Sequence, residues 1–283
     1  MNRRGFALLT VLWVLVALAT LAGASSSLAR RGTAVTRNRI HLTRAAWARE
    51  ACGEILAARF AGDRSVREVD TIELGRGTWC RVAVSDPAGA VNVNLAPADM
   101  LQRLLGDSLA DPLLDWRDAD DVPRPLGAEA EWYRRARRAQ PRNGPLADAG
   151  ELRLVRGFER VPMDWFAGLT MRGSGRVNPN LVSRAVLAAL PGLDAEVIEA
   201  LIARRSTRRP IASIDELIAA TSPSSRIALL AEYRELAQIT AFAPALLLAR
   251  IEGGVRGTPL VSTATLTLVP VESRLAIVAR ESD

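Results

Sequence analysis

The sequence contains few of the residues that build most metal sites and nucleophilic active sites. It has one histidine and two cysteines among 283 residues. A zinc site built mainly from cysteine and histidine is therefore excluded, and a Ser-His or Cys-His nucleophile would have to use His41. His41 lies in an arginine-rich stretch with no pocket signal around it, so we expect it to be a solvated surface residue.

The sequence also lacks lysine, so its 37 basic side chains are all arginine, against 31 acidic side chains. The net charge is +6 and the hydrophobic fraction is 49%, which is typical of a globular protein. A chain of this length can form one large domain or two ordinary ones. Its basic balance alone does not indicate nucleic-acid binding.

Charge is missing from a long stretch near the N-terminus, because no charged residue occurs between Arg4 and Arg30. The apolar run FALLTVLWVLVALATLAGA extends from Phe6 to Ala24. About 20 helical residues span a bilayer core, and lipid offers no partner to an unpaired backbone group, so the run predicts a transmembrane helix. Three interpretations fit it: a secretory signal cleaved near Ser25, a signal anchor, and a prepilin-type terminus that keeps its helix after cleavage.

The stretch RRGFALLTVLWVLVAL resembles the N-terminus of type IV pilins and type II secretion pseudopilins. The resemblance implies that prepilin peptidase cleaves between Gly5 and Phe6, methylates the amine of Phe6 and leaves the helix as the spine of a pilin fold. Most members carry glutamate as the fifth mature residue, whereas this chain has Thr10. That departure is typical of the protein K family of large minor pseudopilins, and it implies a capping role at the filament tip.

Charge and resemblance disagree about membrane orientation. The arginines that follow the span, at 30, 31, 37 and 39, outweigh Arg3 and Arg4, and the positive-inside rule then places the body in the cytoplasm. The resemblance implies a single-pass protein of the bacterial inner membrane with its bulk in the periplasm. We follow the resemblance, because the leader must meet a peptidase that acts at the cytoplasmic face.

The rest of the chain changes from strand to helix patterns and back. We assign five segments: leader 1–5, transmembrane and spine helix 6–62, first pilin β region 63–96, inserted α-helical domain 97–241, and second pilin β region 242–283. The predicted fold class is α+β, with a long N-terminal helix, an antiparallel sheet and a large inserted all-α domain.

Glycine and proline mark the turns that we expect within the two β regions. Turns are predicted at Gly75-Arg76-Gly77, at Gly253-Gly254 and at Pro270, and the segment STATLTLV alternates strictly between the two faces of a strand.

The inserted region contains an internal repeat. VNVNLAPADMLQRLLG begins at Val91, and VNPNLVSRAVLAALPG begins at Val177. Asn94 and Asn180 occupy the same place in the two copies, and we expect each to cap the helix that follows. Each copy resembles a helix-hairpin-helix or SAM-like unit, so we expect two related helical pieces.

The helix-hairpin-helix resemblance raises a rival function, that of a membrane-anchored nucleic-acid-binding protein. The side chains that would contact phosphates are Arg204, Arg205, Arg208 and Arg209. Against this function, the usual second hairpin glycine is replaced near Leu193-Asp194, where a carboxylate would meet the phosphate and a side chain would block close backbone approach. We therefore expect no nucleic-acid partner.

Six carboxylates crowd the segment between the two repeats: Asp115, Asp118, Asp120, Asp121, Glu129 and Glu131. Like charges this close repel one another unless they are solvated, paired or bound to a metal. Two alternatives stay open from the residues alone. One is a site for a hard cation such as Ca²⁺, which takes about 6–8 oxygen ligands; the other is a solvated acidic loop that faces nearby arginines.

The same segment resembles the protein K family in its Asp-Trp-x-Asp-Ala-Asp-Asp, Gly-Ala-Glu and Pro-Leu-Ala-Asp elements. The resemblance implies calcium in this region and no enzymatic activity. It also implies assembly with minor pseudopilins I and J and with the major pseudopilin G, and it makes secreted substrates candidate partners. The expected function is to initiate or cap the pseudopilus that exports folded proteins from the periplasm across the outer membrane.

The two cysteines lie on different predicted elements. Cys52 lies on the spine helix, and Cys80 lies on a strand predicted to pack against it. A periplasmic location permits a disulfide, but the sequence does not define the distance between the two residues. A bridge and two buried thiols therefore remain alternatives.

Overall fold

The fold is taken from a computed structural model that describes residues 3–60, 69–207, 209–271 and 274–282. The chain begins with α1 (Arg3–Phe60), which contains no proline to interrupt its hydrogen bonds. Within these described ranges, α1 is the one helix long and apolar enough to cross a membrane. This confirms the predicted N-terminal helix, although residues 61 and 62 of the expected spine lie outside the described ranges.

Seven strands follow within the residues that the structure describes. In chain order they are β1 (Val69–Gly75), β2 (Thr78–Ser85), β3 (Val91–Asn92), β4 (Leu169–Thr170), β5 (Leu247–Val255), β6 (Val261–Val271) and β7 (Arg274–Ser282). Five of them form one sheet in the order β1-β2-β5-β6-β7. The C-terminal strands thus complete a sheet that the first hairpin begins, and the helical region is inserted between β2 and β5.

In the part of the chain that the structure describes, eight further helices lie in sequence between β2 and β5. They are α2 (Ala98–Leu105), α3 (Asp107–Arg117), α4 (Ala130–Arg135), α5 (Arg184–Ala189), α6 (Ala195–Ser206), α7 (Ile214–Ala219), α8 (Pro223–Ala231) and α9 (Tyr233–Ile239). Short 3-10 helices occur at Pro87–Gly89, Glu151–Leu154, Phe158–Arg160 and Met163–Gly168. The α+β class is confirmed, with one addition to the expected all-α insertion, because β3 and β4 pair as a small parallel ladder.

The chain divides into two compact units. Unit 1 comprises residues 1–84, 249–266 and 279–283, and unit 2 comprises residues 85–248 and 267–278. In unit 1, the core contains Ala45 and Cys52 of α1 and Ile251 of β5. In unit 2, one continuous core surrounds the fully buried Trp116 and Tyr133, whose rings meet edge to face with their centroids 5.1 Å apart.

The first hairpin has the predicted turn. β1 and β2 pair in antiparallel fashion with Ile72 opposite Cys80. Gly75, Arg76 and Gly77 all have positive φ, which glycine adopts without steric cost. Cys80 and Cys52 form a disulfide with their Cα atoms 6.2 Å apart.

Two of the predicted turns are wrong. Gly253 and Gly254 lie inside β5, and Pro270 lies inside β6. The glycines are needed for close packing instead of chain reversal, because a Cβ at Gly253 would lie 2.1 Å from the Ala45 carbonyl oxygen of α1. At Gly254, a Cβ would meet the indole ring of Trp79 at 2.4 Å.

The expectation of a solvated His41 also needs correction. His41 is half-buried, and its Nδ1 is shielded from solvent without a hydrogen-bond partner. It lies four, seven and eleven residues before Ala45, Ala48 and Cys52, so it belongs to the face of α1 that turns toward the core of unit 1.

Candidate functional site

The internal repeat is visible as two copies of one framework within unit 2, here called module 1 (residues 91–152) and module 2 (residues 177–217). Each module has two helices joined at a glycine with left-handed backbone, Gly106 (φ 74°) in module 1 and Gly192 (φ 72°) in module 2. The expected pair of related helical pieces is thus present.

A pair of asparagines does the same work in both modules. Asn94 donates its side-chain amide to the Leu146 carbonyl (2.9 Å) and accepts from the Leu146 N–H (2.8 Å). Asn180 does the same at Ile211, with distances of 2.8 and 2.9 Å. Each asparagine therefore satisfies both backbone groups of a buried residue far away in the sequence.

These contacts correct the expected capping role of the two asparagines. Helix α2 has Pro97 at its N-cap position and no side-chain cap, whereas α5 is capped by Ser183, which accepts from the Val186 N–H. Asn94 and Asn180 lie three residues before these positions, too far to reach the first turn, and instead hold a second chain segment.

A glutamate completes each module. Glu151 accepts from the Ala147 N–H at 2.8 Å, and Glu216 accepts from the Ala212 N–H at 2.8 Å. The equivalent segments read PLADAGEL (145–152) and PIASIDEL (210–217). This second half of the repeat is absent from the sequence-based expectations, although the spacing from proline to glutamate is the same in both copies.

An arginine at the end of each second helix makes a further pair of equivalent contacts. Arg117 donates to the carbonyls of Val93 and Ala96, and Arg205 donates to those of Pro179 and Val182. Burial lowers the pKa of both guanidinium groups. The two arginines therefore stabilise the modules by hydrogen bonds to backbone carbonyls.

The modules differ in the connection that follows this arginine. In module 2, residues 206–209 lead directly from Arg205 to Pro210. In module 1, residues 118–144 separate Arg117 from Pro145, and this acidic insertion carries five of the six predicted carboxylates. The candidate site is therefore an addition to one copy of a duplicated framework.

The structure brings three of the six carboxylates together. Asp118, Asp120 and Glu129 each have an oxygen within 4.8 Å of the others, close enough for one cation. Glu129 is only 4% exposed, yet neither of its carboxylate oxygens has a hydrogen-bond partner, and one oxygen of Asp118 is also buried without one. A buried carboxylate without donors is costly, so this arrangement favours a bound cation over a solvated loop.

The other three carboxylates have different partners. Asp115 is buried and accepts from the Arg124 guanidinium at 2.6 Å, and the same nitrogen also reaches Asp118 at 2.6 Å. Asp121 accepts from the Asn143 amide at 3.1 Å. Glu131 is exposed and pairs with Arg134 and Arg135 on its own helix.

The electrostatics of the insertion centre on Glu129. Burial, followed by the negative charges of Asp115, Asp118, Asp121 and Asp120, raises the pKa of Glu129 to about 7. Burial also raises the pKa of Asp115, despite its hydrogen bonds to Arg124. A cation between Asp118, Asp120 and Glu129 would offset this concentration of negative charge.

The hairpin of module 2 does not offer a phosphate site. A Cβ at Gly192 would lie 2.9 Å from the Ala228 carbonyl oxygen of α8, so α8 covers the hairpin at its glycine. Asp194 caps α6 through the Val197 N–H and accepts from the Ser225 hydroxyl, which places a carboxylate where a phosphate would bind.

Two of the four arginines proposed for phosphate binding have partners within the chain, whereas the side chain of Arg209 is exposed. Arg204 pairs with Glu216 at 2.6 Å, and Arg205 donates to the two carbonyls of its own module. Arg208 lies outside the described residues. The contacts of Arg204 and Arg205 favour a role in packing within the chain over nucleic-acid binding.

The residues predicted for processing and capping, Gly5, Phe6 and Thr10, lie in the first turns of α1. This places the predicted cleavage site at the N-terminal end of the apolar segment.

Comparison with known proteins agrees with the resemblance seen in the sequence. Residues 88–165 match the family model for type II secretion system (T2SS) protein K, a range that covers all of module 1, including the acidic insertion. No curated protein matches the chain.

The fold is similar to a solved structure, the crystal structure of the GspK-GspI-GspJ complex from the type 2 secretion system of enterotoxigenic Escherichia coli. The TM-score is 0.62 at 16% identity, covering 89% of this chain and 99% of that chain. At this identity the likeness concerns the fold alone. Residues 88–165 are thus similar to the type II secretion system protein K family, and the fold of the chain agrees with that similarity.

Proposed function

We propose that this chain is the minor pseudopilin at the tip of a type II secretion pseudopilus, where it initiates assembly together with minor pseudopilins I and J. The major pseudopilin G would extend the filament below it. The family match and the shared fold support the minor pseudopilin role, and the complex named for the similar structure contains I and J proteins. Its work is then assembly, in support of protein export, and not catalysis.

The observation that carries the tip position is Thr10. In related subunits, the fifth mature residue is a glutamate that is thought to pair with the terminal amine of the subunit assembled before it. A carboxylate in an apolar environment needs such a partner. A subunit with Thr10 has no such requirement, because threonine can satisfy its hydroxyl within its own helix.

Processing follows from the same proposal. The mature chain should begin at N-methylated Phe6, with its body in the periplasm and α1 anchored in the inner membrane. Mass spectrometry of the N-terminal peptide checks this start. A start near Ser25 would indicate an ordinary secretory signal and contradict the proposal.

The substitution Thr10→Glu tests the capping role. In cells that make the full chain with its partner pseudopilins, we expect Thr10→Glu to reduce the number of filaments, because the new carboxylate needs a preceding subunit. Thr10→Val is the matched control, since it removes the hydroxyl without adding charge, and it should leave the number unchanged. Unaltered assembly with Thr10→Glu would contradict the capping role.

We also propose that the acidic insertion binds calcium through Asp118, Asp120 and Glu129. The residues fit a hard cation, because they offer clustered carboxylate oxygens and because the buried oxygens of Glu129 have no other partner. The cation would neutralise charge within the insertion and hold its carboxylates together, which is a structural role.

A further inference from the structure

Four exposed arginines follow the apolar run of α1 and are here called the arginine collar. They are Arg30, Arg31, Arg37 and Arg39. The first acidic residue of the chain is Glu50, and none of the four arginines has an acidic partner among the side chains that the structure describes. Their positive charge is therefore not balanced within the described part of the protein.

Two further arginines of α1 have a different environment. Arg44 donates to the Arg76 carbonyl, and Arg49 donates to the Thr263 carbonyl at 3.2 Å. Both acceptors belong to unit 1. The collar is thus the part of the arginine-rich stretch that packing within unit 1 does not use.

The collar begins at the depth of lipid headgroups when α1 spans a bilayer. The helix from Arg4 to Arg30 is about 39 Å long at about 1.5 Å per residue. A bilayer is about 30 Å thick across its hydrocarbon core and about 40–45 Å thick with its headgroups. Arg30 and Arg31 therefore lie just outside the core when Arg4 lies at the opposite surface. This placement is the same for either orientation in the membrane.

The side chains of the collar point toward the bilayer. In an α-helix each Cα–Cβ bond tilts toward the helix N-terminus, which is the side of the membrane here. Arg30 follows this rule, because its guanidinium reaches the Ser26 hydroxyl at 3.0 Å, one turn closer to the apolar run. Arg37 and Arg39 begin about 10–14 Å further along the helix, and a long arginine side chain can carry its charge part of the way back.

The spread of the collar around the helix restricts the partner. At about 100° per residue, Arg37 lies within about 20° of Arg30, whereas Arg31 lies about 100° away and Arg39 about 180° away. One partner helix contacts one face and cannot meet both Arg30 and Arg39. A lipid surface surrounds the helix and can meet all four.

The chemistry of arginine also fits lipid headgroups. A guanidinium group donates two parallel hydrogen bonds to a phosphate. Several basic side chains without nearby carboxylates attract lipids with a net negative charge, by about 1 kcal/mol for each side chain near the surface. The collar therefore fits anionic phospholipids better than zwitterionic ones.

We propose that the arginine collar binds the headgroups of anionic phospholipids, such as phosphatidylglycerol, at the surface where α1 leaves the bilayer. The inference requires that α1 spans a membrane, and it does not depend on a position at the filament tip. It gives the arginines after the span a role that is compatible with a body in the periplasm, although the positive-inside rule places such residues in the cytoplasm.

Lipid selectivity tests the collar in the full-length chain. The protein is reconstituted in phosphatidylcholine vesicles that contain a minority of phosphatidylglycerol, and spin-labelled forms of both lipids report their relative association constants. We expect the wild type to prefer phosphatidylglycerol, and Arg30→Gln/Arg31→Gln to reduce this preference at least about threefold. Arg44→Gln/Arg49→Gln is the matched control, because it removes the same charge from the same helix, and it should keep the preference.

Salt gives a second readout, since about 0.5 M NaCl should weaken the preference of the wild type by screening. Arg3 and Arg4 are the same in all variants, so differences between variants report on the collar. Equal association of both lipids with the wild type, or equal losses in the two double variants, would overturn the collar and leave the proposed function standing. A wild type that does not float with the vesicles would contradict the membrane anchor of the proposed function and the collar together.

Discussion

Module 1 and module 2 use the same framework, but only one of them carries the acidic insertion. Asn94 and Asn180, Glu151 and Glu216, and two arginines make equivalent hydrogen bonds in the two copies. Residues 118–144 are present only in module 1. The shared contacts recur in both copies, and the difference between the copies locates a segment that module 2 lacks, although in module 1 its Tyr133 belongs to the core.

The two modules also differ in how deeply one equivalent residue is buried. Glu151 is 8% exposed and accepts from the buried Trp116 indole N–H at 3.0 Å, with Arg142 at 3.1 Å. In module 2, Glu216 has a side chain 37% exposed and accepts from Arg204, the residue in the position of Trp116. The same carboxylate is therefore part of the core in module 1 and part of the surface in module 2.

The largest expected effect is a difference in stability between substitutions at these two equivalent glutamates. Glu151→Ala should lower the free energy of unfolding by about 3–5 kcal/mol, because it leaves the buried Trp116 donor unpaired. Glu216→Ala should cost about 1 kcal/mol, since water can replace an exposed partner. Denaturant unfolding followed by tryptophan fluorescence measures both. Equal losses would show that burial does not distinguish the two sites.

The second-largest expected loss of stability comes from removing the disulfide in unit 1, which lies outside both modules. Both modules lack cysteine, and the Cys52–Cys80 bridge lies in unit 1 with a sequence separation of 28. Chain-entropy arguments give about 3–4 kcal/mol for a bridge of this span. We expect Cys52→Ala/Cys80→Ala to lower the stability of unit 1 by this amount.

Peptide mapping under non-reducing conditions checks the bridge directly. Adding reductant should destabilise the wild type and leave the double variant unchanged. Two free thiols in protein purified from cells without reductant would contradict the bridge.

The third expected effect is the stabilisation of the protein by calcium bound to the acidic insertion. At calcium about a hundredfold above its dissociation constant, binding contributes about 2.7 kcal/mol, or a rise in melting temperature of about 5–10 °C. Glu129→Gln should abolish this rise. Glu131→Gln is the matched control, because Glu131 is exposed and already paired, and it should keep the rise.

In chelator the same substitution should act in the opposite direction. Because the folded protein holds the pKa of Glu129 at about 7, above its ordinary value, the stability from this group is full below the unfolded pKa and is lost as pH rises through about 7. Glu129→Gln should therefore melt higher than the wild type in chelator at pH 8, and the difference should disappear near pH 4. A wild type that melts identically in calcium and chelator would favour the solvated loop.

The smallest expected difference is between the two asparagines. Asn94→Ala and Asn180→Ala each remove two hydrogen bonds from a buried segment, so each should cost about 2 kcal/mol. The two losses should agree within about 0.5 kcal/mol if the modules are true equivalents. A clearly larger loss in one module, measured by the same unfolding assay, would show that the two asparagines are similar in geometry but not in their contribution to stability.

The elements that the sequence predicts correctly are those that depend on local composition. The apolar run without proline predicts α1, and the glycine pair around Arg76 predicts the first turn, because both follow from properties of adjacent residues. Gly253 and Gly254 look the same locally but serve close packing against Ala45, a contact between distant segments. No local pattern separates these two uses of glycine.

The candidate site shows the same limit. Six carboxylates close in sequence suggest one cluster, but Arg124, Asn143 and the arginines of α4 take three of them, and only the fold decides which carboxylates remain together.

The asparagines show a signal that the sequence does contain. The repeat extends from the two VNxN motifs to the matching PLA and PIA segments, which begin at Pro145 and Pro210. Aligning the two copies over this full length leaves residues 118–144 of module 1 without a counterpart. The alignment therefore locates the acidic insertion from the sequence, although it does not say which of its carboxylates lie together.

The position and number of copies of this chain in assembled pseudopili test the proposed function most directly. Filaments are sheared from cells, the chain is labelled through an epitope in its inserted region, and its amount is measured against the major pseudopilin. The account predicts one copy per filament, at one end only. Regular labelling along the shaft, or an amount that rises with filament length, would contradict it.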